Sequence, residues 1–226
     1  MPLNPPSYPS FRLFVLLGLF VALLVAMNLL GGKITVLFGI PTSVAIFITP
    51  VTFLITDIVE EVYGTRIARQ FVWVGVFALL LVAAYTSFFL ALPAHSRFPH
   101  NDAYRAIFGT SLRIFLASVT AFLISQTHDV WAFSFWKRLT HGKALWLRNN
   151  LSTIVSQAID TFSFMLIAFY HSSPHYTLLF VVQLALPYYF LKAIFALLDT
   201  PFVYLGVFWL RQSAGFSTSQ GKGKVI

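Results

Sequence analysis

Charge is what this sequence lacks most. Only 10% of its 226 residues are Asp, Glu, Lys or Arg, against about a quarter in an ordinary soluble domain. So little polar surface cannot keep a chain of this length in water, which excludes a soluble globular domain. Cysteine is absent, so disulfides and Cys-based metal sites are excluded. Acids are scarcer than bases, 7 against 15, and only Asp102 lies in a clear loop. Asp57, Glu60, Glu61, Asp129, Asp160 and Asp199 fall in or beside apolar runs.

What the chain has instead is hydrocarbon: 58% hydrophobic residues and a mean hydropathy of +0.80. Runs of about 20 apolar residues, enough to cross roughly 30 Å of lipid, recur along its length. They are continuous rather than alternating, which indicates helices and not a barrel. The expected fold is therefore an all-α integral membrane protein, a six-helix transmembrane bundle. Spans are expected at about 12–30, 41–60, 69–92, 108–130 and 147–170. Residues 176–210 are expected to hold an interfacial or tilted approach followed by a sixth span, with Pro187 and Pro201 as candidate breaks. Residues 1–11 read as a disordered, Pro-rich lead, 12–210 as the membrane domain and 211–226 as a basic tail. The first run has neither a cationic lead nor an Ala-x-Ala exit and reads as an anchor.

The net charge of +8 does not point to nucleic acid, because the bases sit in loops and at the C-terminus. With six spans, Arg12, Arg66, Arg69, Lys137, Arg138, Lys143, Arg148, Arg211, Lys222 and Lys224 collect on one side. Only Lys33, Arg97, Arg105 and Arg113 fall on the other, so both termini are expected in the cytoplasm.

Two segments, "SQTHDVWAF" (125–133) and "SQAIDTFSF" (156–164), repeat the pattern Ser-Gln-x-x-Asp-x-x-x-Phe. In the fifth span Asn149, Ser152, Thr153, Ser156, Gln157, Asp160 and Phe164 follow steps of three and four and form one stripe. In the fourth, Gln126, Asp129 and Phe133 do the same. Serines and threonines in spans often serve only as interhelical glue. A carboxylate is costly at membrane depth, about 2.5–3.5 kcal/mol on insertion scales, and faces a cavity, a partner or a ligand. For Asp129, simple solvation at the cytoplasmic edge is the competing reading. His95, His100 and His128 read as interfacial or loop residues. Asp57, Glu60 and Glu61 crowd the end of the second span, against the helix dipole, where Arg66, Arg69 or Arg148 are candidate partners. Lys192 either snorkels or enters the pocket. No metal-ligand cluster and no nucleophile-base pair stands out.

Carboxylates accept from paired N–H donors, amides both donate and accept, and aromatic faces stack on flat rings. Such a set suits an aminopyrimidinone edge like guanine's, though the physics stops at a polar, planar or cationic solute.

The segments "TFLITDIVEEVYGTRIAR", "SQTHDVWAFSFWK", "LWLRNNLSTIVSQAIDTFSF" and "LKAIFALLDTPFVYLG" together resemble the bacterial queuosine precursor transporter family, also called vitamin uptake transporters. The resemblance runs from about residue 28 to 210. It implies a bacterial inner-membrane, multi-pass carrier importing 7-cyano-7-deazaguanine (preQ0) or its aminomethyl relative preQ1, precursors of the tRNA base queuosine. It implies no catalysis, no cofactor and no nucleic-acid partner. The implied partners are the nucleobase-like solute, the bilayer and a possible second copy. By motif, Asp160, Gln157, Asn149, Gln126 and Asp129 are the implied base-edge or pocket-shaping groups. Asp57 and Glu61 belong to the pocket or to a cytoplasmic gate, with Arg148 as their ion partner, and Lys192 is a donor to the carbonyl or cyano end. Two rivals stand beside this: a substrate-capturing subunit of an energy-coupling importer that needs partner ATPases, and a membrane enzyme using Asp129 and Asp160.

Overall fold

The computed structural model describes residues 10–31, 33–109, 112–171 and 177–213. Most of the expected lead (1–9 of 1–11) and of the expected basic tail (214–226 of 211–226) lies outside the described residues. Eight α-helices are present among them, all in accord with an all-α membrane protein, together with one short hairpin.

The first helix, α1 (Phe11–Leu30), begins where the Ser10 hydroxyl accepts from the Leu13 N–H. The expected second span then departs from its forecast. Residues 41–43 are not helical but form β2 (Ile40–Ser43), antiparallel to β1 (Ile34–Leu37), with Ile34 opposite Ser43 and Leu37 opposite Ile40. Phe38 and Gly39 both have positive φ, 51° and 80°, the backbone of a tight two-residue hairpin turn. β-Branched residues on both arms favour this extended form. A 3₁₀ turn at Val44–Phe47 follows, and α2 (Thr49–Tyr63) begins only there, with Pro50 in its first turn. At 15 residues α2 is about 22 Å long, short of a full crossing. Gly64 separates it from α3 (Thr65–Ala91) at φ 84° and ψ 170°, a conformation essentially reserved for glycine.

The polar loop after α3 holds a short helix, α4 (Asn101–Phe108), followed by α5 (Leu112–Leu139) and α6 (Leu145–Phe169). In the last region the chain breaks at Asp199, beside the candidate Pro201 and not at Pro187. It makes two helices, α7 (Leu178–Leu198) and α8 (Thr200–Ser213), instead of an approach and one span. Pro187 lies inside α7, where it removes one backbone donor without ending the helix. Pro201 sits in the first turn of α8, where its missing N–H costs nothing. The start of α8 is pinned to α6: Thr200 Oγ1 donates to Asn150 Oδ1 at 3.0 Å, and the Trp146 N–H donates to Tyr204 Oη at 3.2 Å.

Among the described residues four helices, α1, α3, α6 and α7, are long and apolar enough to cross a membrane, so the chain is a multi-pass membrane protein. The apolar core is shared by α1, α2, α3, α5 and α8, with Leu145 of α6, and includes Phe20, Leu24, Phe71, Leu79, Phe122, Phe133 and Val207. Two glycines permit close helix contact. A Cβ on Gly75 of α3 would lie 2.6 Å from Leu24 Cδ1, and one on Gly206 of α8 would lie 2.2 Å from Ile58 Cδ1. The outer faces carry Trp73, Phe77, Tyr85, Phe88, Phe190 and Phe208, as hydrocarbon-facing surfaces do. Much of the interior, by contrast, is polar. Thr56, Asp57, Glu60, Gln126, Asp129, Arg148, Asn149, Ser152, Ser156 and Gln157 are all buried.

Candidate functional site: a polar seam between α2, α5 and α6

α5 and α6 form the most extensive helix pair, and each turns its polar stripe inward. Gln126 and Asp129 from α5 meet Asn149, Ser152, Thr153, Ser156 and Gln157 from α6, every one of them buried. This is the arrangement the two repeated motifs predicted. The reason is elementary: in a bilayer the only place where such groups escape hydrocarbon is against one another.

The seam is layered along the bundle axis. At the level of Asp160, Lys192 Nζ of α7 donates to Asp160 Oδ2 at 2.7 Å, and Ser125 Oγ donates to Asp160 Oδ1 at 3.3 Å. The Lys192 ammonium also lies 5.0 Å from the centre of the Tyr188 ring. Lys192 is only 3% exposed, so it does not snorkel to an interface.

The next layer adds α2. Thr56 Oγ1 donates to Gln126 Oε1 at 3.3 Å, and Thr153 Oγ1 donates to Asp57 Oδ2 at 3.2 Å. The Asp57 and Asp129 carboxyl groups face each other, with Ser152 and Ser156 beside Asp129. Asp129 is fully buried; it is not a solvated residue at a membrane edge. His128 is half-buried and its Nδ1 lies 2.9 Å from Ser156 Oγ, whereas His95 and His100 stand in the exposed loop as expected.

One turn further along α2, Glu60 Oε1 accepts from Ser134 Oγ at 2.5 Å and from Thr65 Oγ1 at 3.1 Å. Beyond it lies an ion cluster. Glu61 pairs with Lys137 at 2.7 Å, with Arg148 at 2.8 Å and with Arg211 at 3.1 Å. Arg148 also donates to the Gly142 carbonyl at 3.3 Å and lies 5.2 Å from the centre of the Phe133 ring. The expected partnership of Arg148 thus holds for Glu61, while Asp57 pairs with no cation. Arg66 and Arg69, the other candidates, form no ion pair among the described residues. One carboxylate therefore ties together α2, α5, α6 and α8.

What distinguishes the central layer is its unused bonding capacity. Asp57 Oδ1, Gln126 Nε2, both Asp129 oxygens, Asn149 Oδ1, both amide atoms of Gln157 and Thr161 Oγ1 are buried without a hydrogen-bond partner among the described residues. A buried polar group left unsatisfied costs about 1–3 kcal/mol, so this concentration is unusual for a purely structural interface.

The comparisons with known proteins agree with the motif reading. The family described as "Putative vitamin uptake transporter" matches residues 43–206. The chain belongs to this family. Its members are transporters and not enzymes, and the seam, Arg211 of the ion cluster apart, lies within the matched region. The chain is 33% identical over 198 residues to the "Probable queuosine precursor transporter" of Bacillus subtilis, covering 86% of this chain and 85% of that one. It is 26% identical over 162 residues to the "Queuosine precursor transporter" of Escherichia coli, covering 70% and 69%. A Haemophilus influenzae protein, also a "Probable queuosine precursor transporter", is 32% identical over 124 residues, covering 55% and 50%. No solved structure matches.

For this vitamin uptake transporter family member, the sequence reading passed over part of α2. Thr49, Thr52, Thr56 and Glu60 follow helical steps of three and four, and all four are buried. The spacing is legible in the sequence, although the acids at 57, 60 and 61 are the stronger local signal. Ser134, too, lacked any local signal, because its partner Glu60 is 74 residues distant. A separate cleft lies between α1, α3, α4 and α5, lined among others by Asn28, Val82, Thr86, Ser87, Ile107 and Phe115. It shares no lining residue with the central layer. Ser118 Oγ donates to Asn28 Oδ1 at 2.9 Å, which places this cleft along α5 on the side away from the ion cluster.

Proposed function

We propose that the protein carries a queuosine precursor, a 7-deazaguanine such as preQ0 or preQ1, across the bacterial inner membrane. The observation that supports this reading best is the unfilled hydrogen-bond inventory of the central layer. Asn149 Oδ1, Gln157 Oε1 and the free carboxylate oxygens are acceptors, while Gln126 Nε2 and Gln157 Nε2 are donors. A guanine-type edge offers two adjacent N–H donors and one carbonyl acceptor, which is the complement of that set. Gln157, Asn149 and Gln126 then read the ring edge. Asp160 and Lys192 border the site on one side, and Asp57 and Asp129 form an acidic floor on the other. Glu61, paired with Arg148, Lys137 and Arg211, closes the end of the pathway together with Arg148 rather than touching the solute. The relatives named as queuosine precursor transporters support the same solute class.

Six crossings accommodate this reading, with α7 and α8 acting together as the sixth and α2 entering through its hairpin and 3₁₀ turn. The ion-cluster end then carries Arg12, Arg66, Arg69, Lys137, Arg138, Lys143, Arg148 and Arg211 and faces the cytoplasm. The other end has Lys33, Arg97, Arg105 and Arg113.

The test is uptake of labelled 7-cyano-7-deazaguanine into liposomes containing only this protein. Saturable uptake is expected, weakened about 5- to 150-fold in Gln157→Leu, the range for one or two unmet buried hydrogen bonds. Binding without uptake would transfer the protein to the class of capture subunits that need partner ATPases. Absence of both would refute the deazaguanine reading.

A further inference from the structure

Among the buried ionisable groups of the seam, two lack a counter-charge. Lys192 is matched by Asp160, and Glu61 by Lys137, Arg148 and Arg211. Asp57 and Asp129, 1% and 0% exposed, have no cation within ion-pair distance among the described residues. Their surroundings confirm the imbalance element by element. α2 contributes another acid, Glu60, and α6 contributes the hydroxyls of Ser152, Thr153 and Ser156. On α5, His128 is turned to Ser156. The cations of α6, α7 and α8 are committed elsewhere.

Two buried carboxylates side by side with no neighbouring cation resist joint ionisation; a proton held between them removes the repulsion and one buried charge. We propose that Asp57 and Asp129 together bind the proton that this carrier moves with its solute. The inference rests on the transport reading above and adds the coupling ion to it.

Three features favour a proton in transit over a structural one. First, the pair spans two helices, α2 and α5, so any relative movement of these helices alters the separation of the carboxyl groups and hence their hold on the proton. Second, the amide of Gln126 lies one turn from Asp129 and is held through Oε1 by Thr56, the residue before Asp57. Its fully buried Nε2 is unpartnered. A solute accepting from that amide would sit directly over the pair, which links the two occupancies. Third, an exit exists. Glu60 follows Asp57 by one helical turn, its Oε2 is buried and unpartnered, and its Oε1 meets Ser134 and Thr65. Glu61 and the basic end come next. Exchangeable carboxyl and hydroxyl groups thus succeed one another from the central layer to the end of the bundle, as in intramembrane proton relays.

The experiment uses the full chain in liposomes with a trapped pH-sensitive dye. External 7-cyano-7-deazaguanine should acidify the lumen as it enters. With one proton per solute, an outside pH lower by about one unit should support about tenfold accumulation, abolished by a protonophore. In Asp57→Asn and Asp129→Asn, any remaining exchange of solute, whatever its rate, should no longer respond to outside pH. Asp57→Glu and Asp129→Glu, which keep a titratable group, should retain the response. Solute exchange by the unaltered protein without lumen acidification or pH response would overturn proton coupling while leaving the carrier reading intact. Coupling that persists in both Asn variants, or Glu variants as inert as the Asn ones, would overturn its assignment to this pair. No uptake and no exchange by the unaltered protein would remove the transport reading and this inference with it.

Discussion

Replacing Glu61 by Gln tests the most connected residue of the bundle. The substitution keeps the shape and removes the charge that three cations share. Those cations are unequal. The side chains of Lys137 and Arg211 are 35% and 51% exposed, whereas that of Arg148 is 1% exposed. Solvent and ions screen the first two, so each contributes no more than about 1 kcal/mol. Arg148 has no such recourse. Stranding one member of a buried pair costs about 3–5 kcal/mol, because the remaining charge is left without compensation. Glu61→Gln should therefore lower the apparent Tm in detergent by about 6–20 °C, on the scale of roughly 2–4 °C per kcal/mol for a chain of this size. Arg211→Gln and Lys137→Gln should each lower it by no more than about 4 °C. The decisive sample is Glu61→Gln combined with Arg148→Met, which removes both charges and should recover much of the loss. Thermal unfolding followed by size-exclusion fluorescence reads all six proteins, the Arg148→Met single variant included, under one condition. If Glu61→Gln costs no more than Arg211→Gln, or if the double variant shows the plain sum of its parts, the buried Arg148–Glu61 pair does not hold these helices together.

Other consequences concern single contacts. Gly206→Ala places a Cβ 2.2 Å from Ile58 Cδ1 and 2.9 Å from its Cγ1, so it should destabilise by about 1–3 kcal/mol; the same thermal assay should show relief by Ile58→Ala. Gly64→Ala has open space around it but must adopt φ 84° and ψ 170°, which should cost about 1–3 kcal/mol through backbone strain alone, with no rescue from trimming neighbours. Lys192→Met leaves Asp160 without its 2.7 Å partner and should weaken solute binding by at least fivefold, measured by equilibrium binding in detergent. Restoration of affinity by Lys192→Arg, or none by Asp160→Asn/Lys192→Met, would show whether the charge or the pairing matters.

How much of this was legible beforehand follows from the range of each interaction. The composition alone required a membrane, and the periodicity of α5 and α6 placed Gln126, Asp129, Asn149 and Gln157 on inward faces, because a 3.6-residue repeat is a local property. The same local reading failed where apolar character did not decide backbone conformation. Residues 40–43, Ile-Pro-Thr-Ser, run directly into the apolar segment that follows, yet the two-residue turn at Phe38–Gly39 folds them into a hairpin. Of the two candidate breaks, Pro187 lies within a helix, while the chain breaks at Asp199, two residues before Pro201, where Thr200 and Tyr204 are held by α6.

The sequence by itself determined the class of protein, the polar stripes and the family. Tertiary structure alone decided the pairings. Nothing near Glu61 in the chain distinguishes it from Glu60, yet one gathers three cations from α5, α6 and α8, and the other turns inward to Ser134 and Thr65. Asp160 receives a lysine from α7, while Asp57 and Asp129, acids of the same kind, receive none. Whether a buried carboxylate is neutralised by a cation or must hold a proton depends on charges brought from tens of residues away, and only the packing of the helices sets those distances.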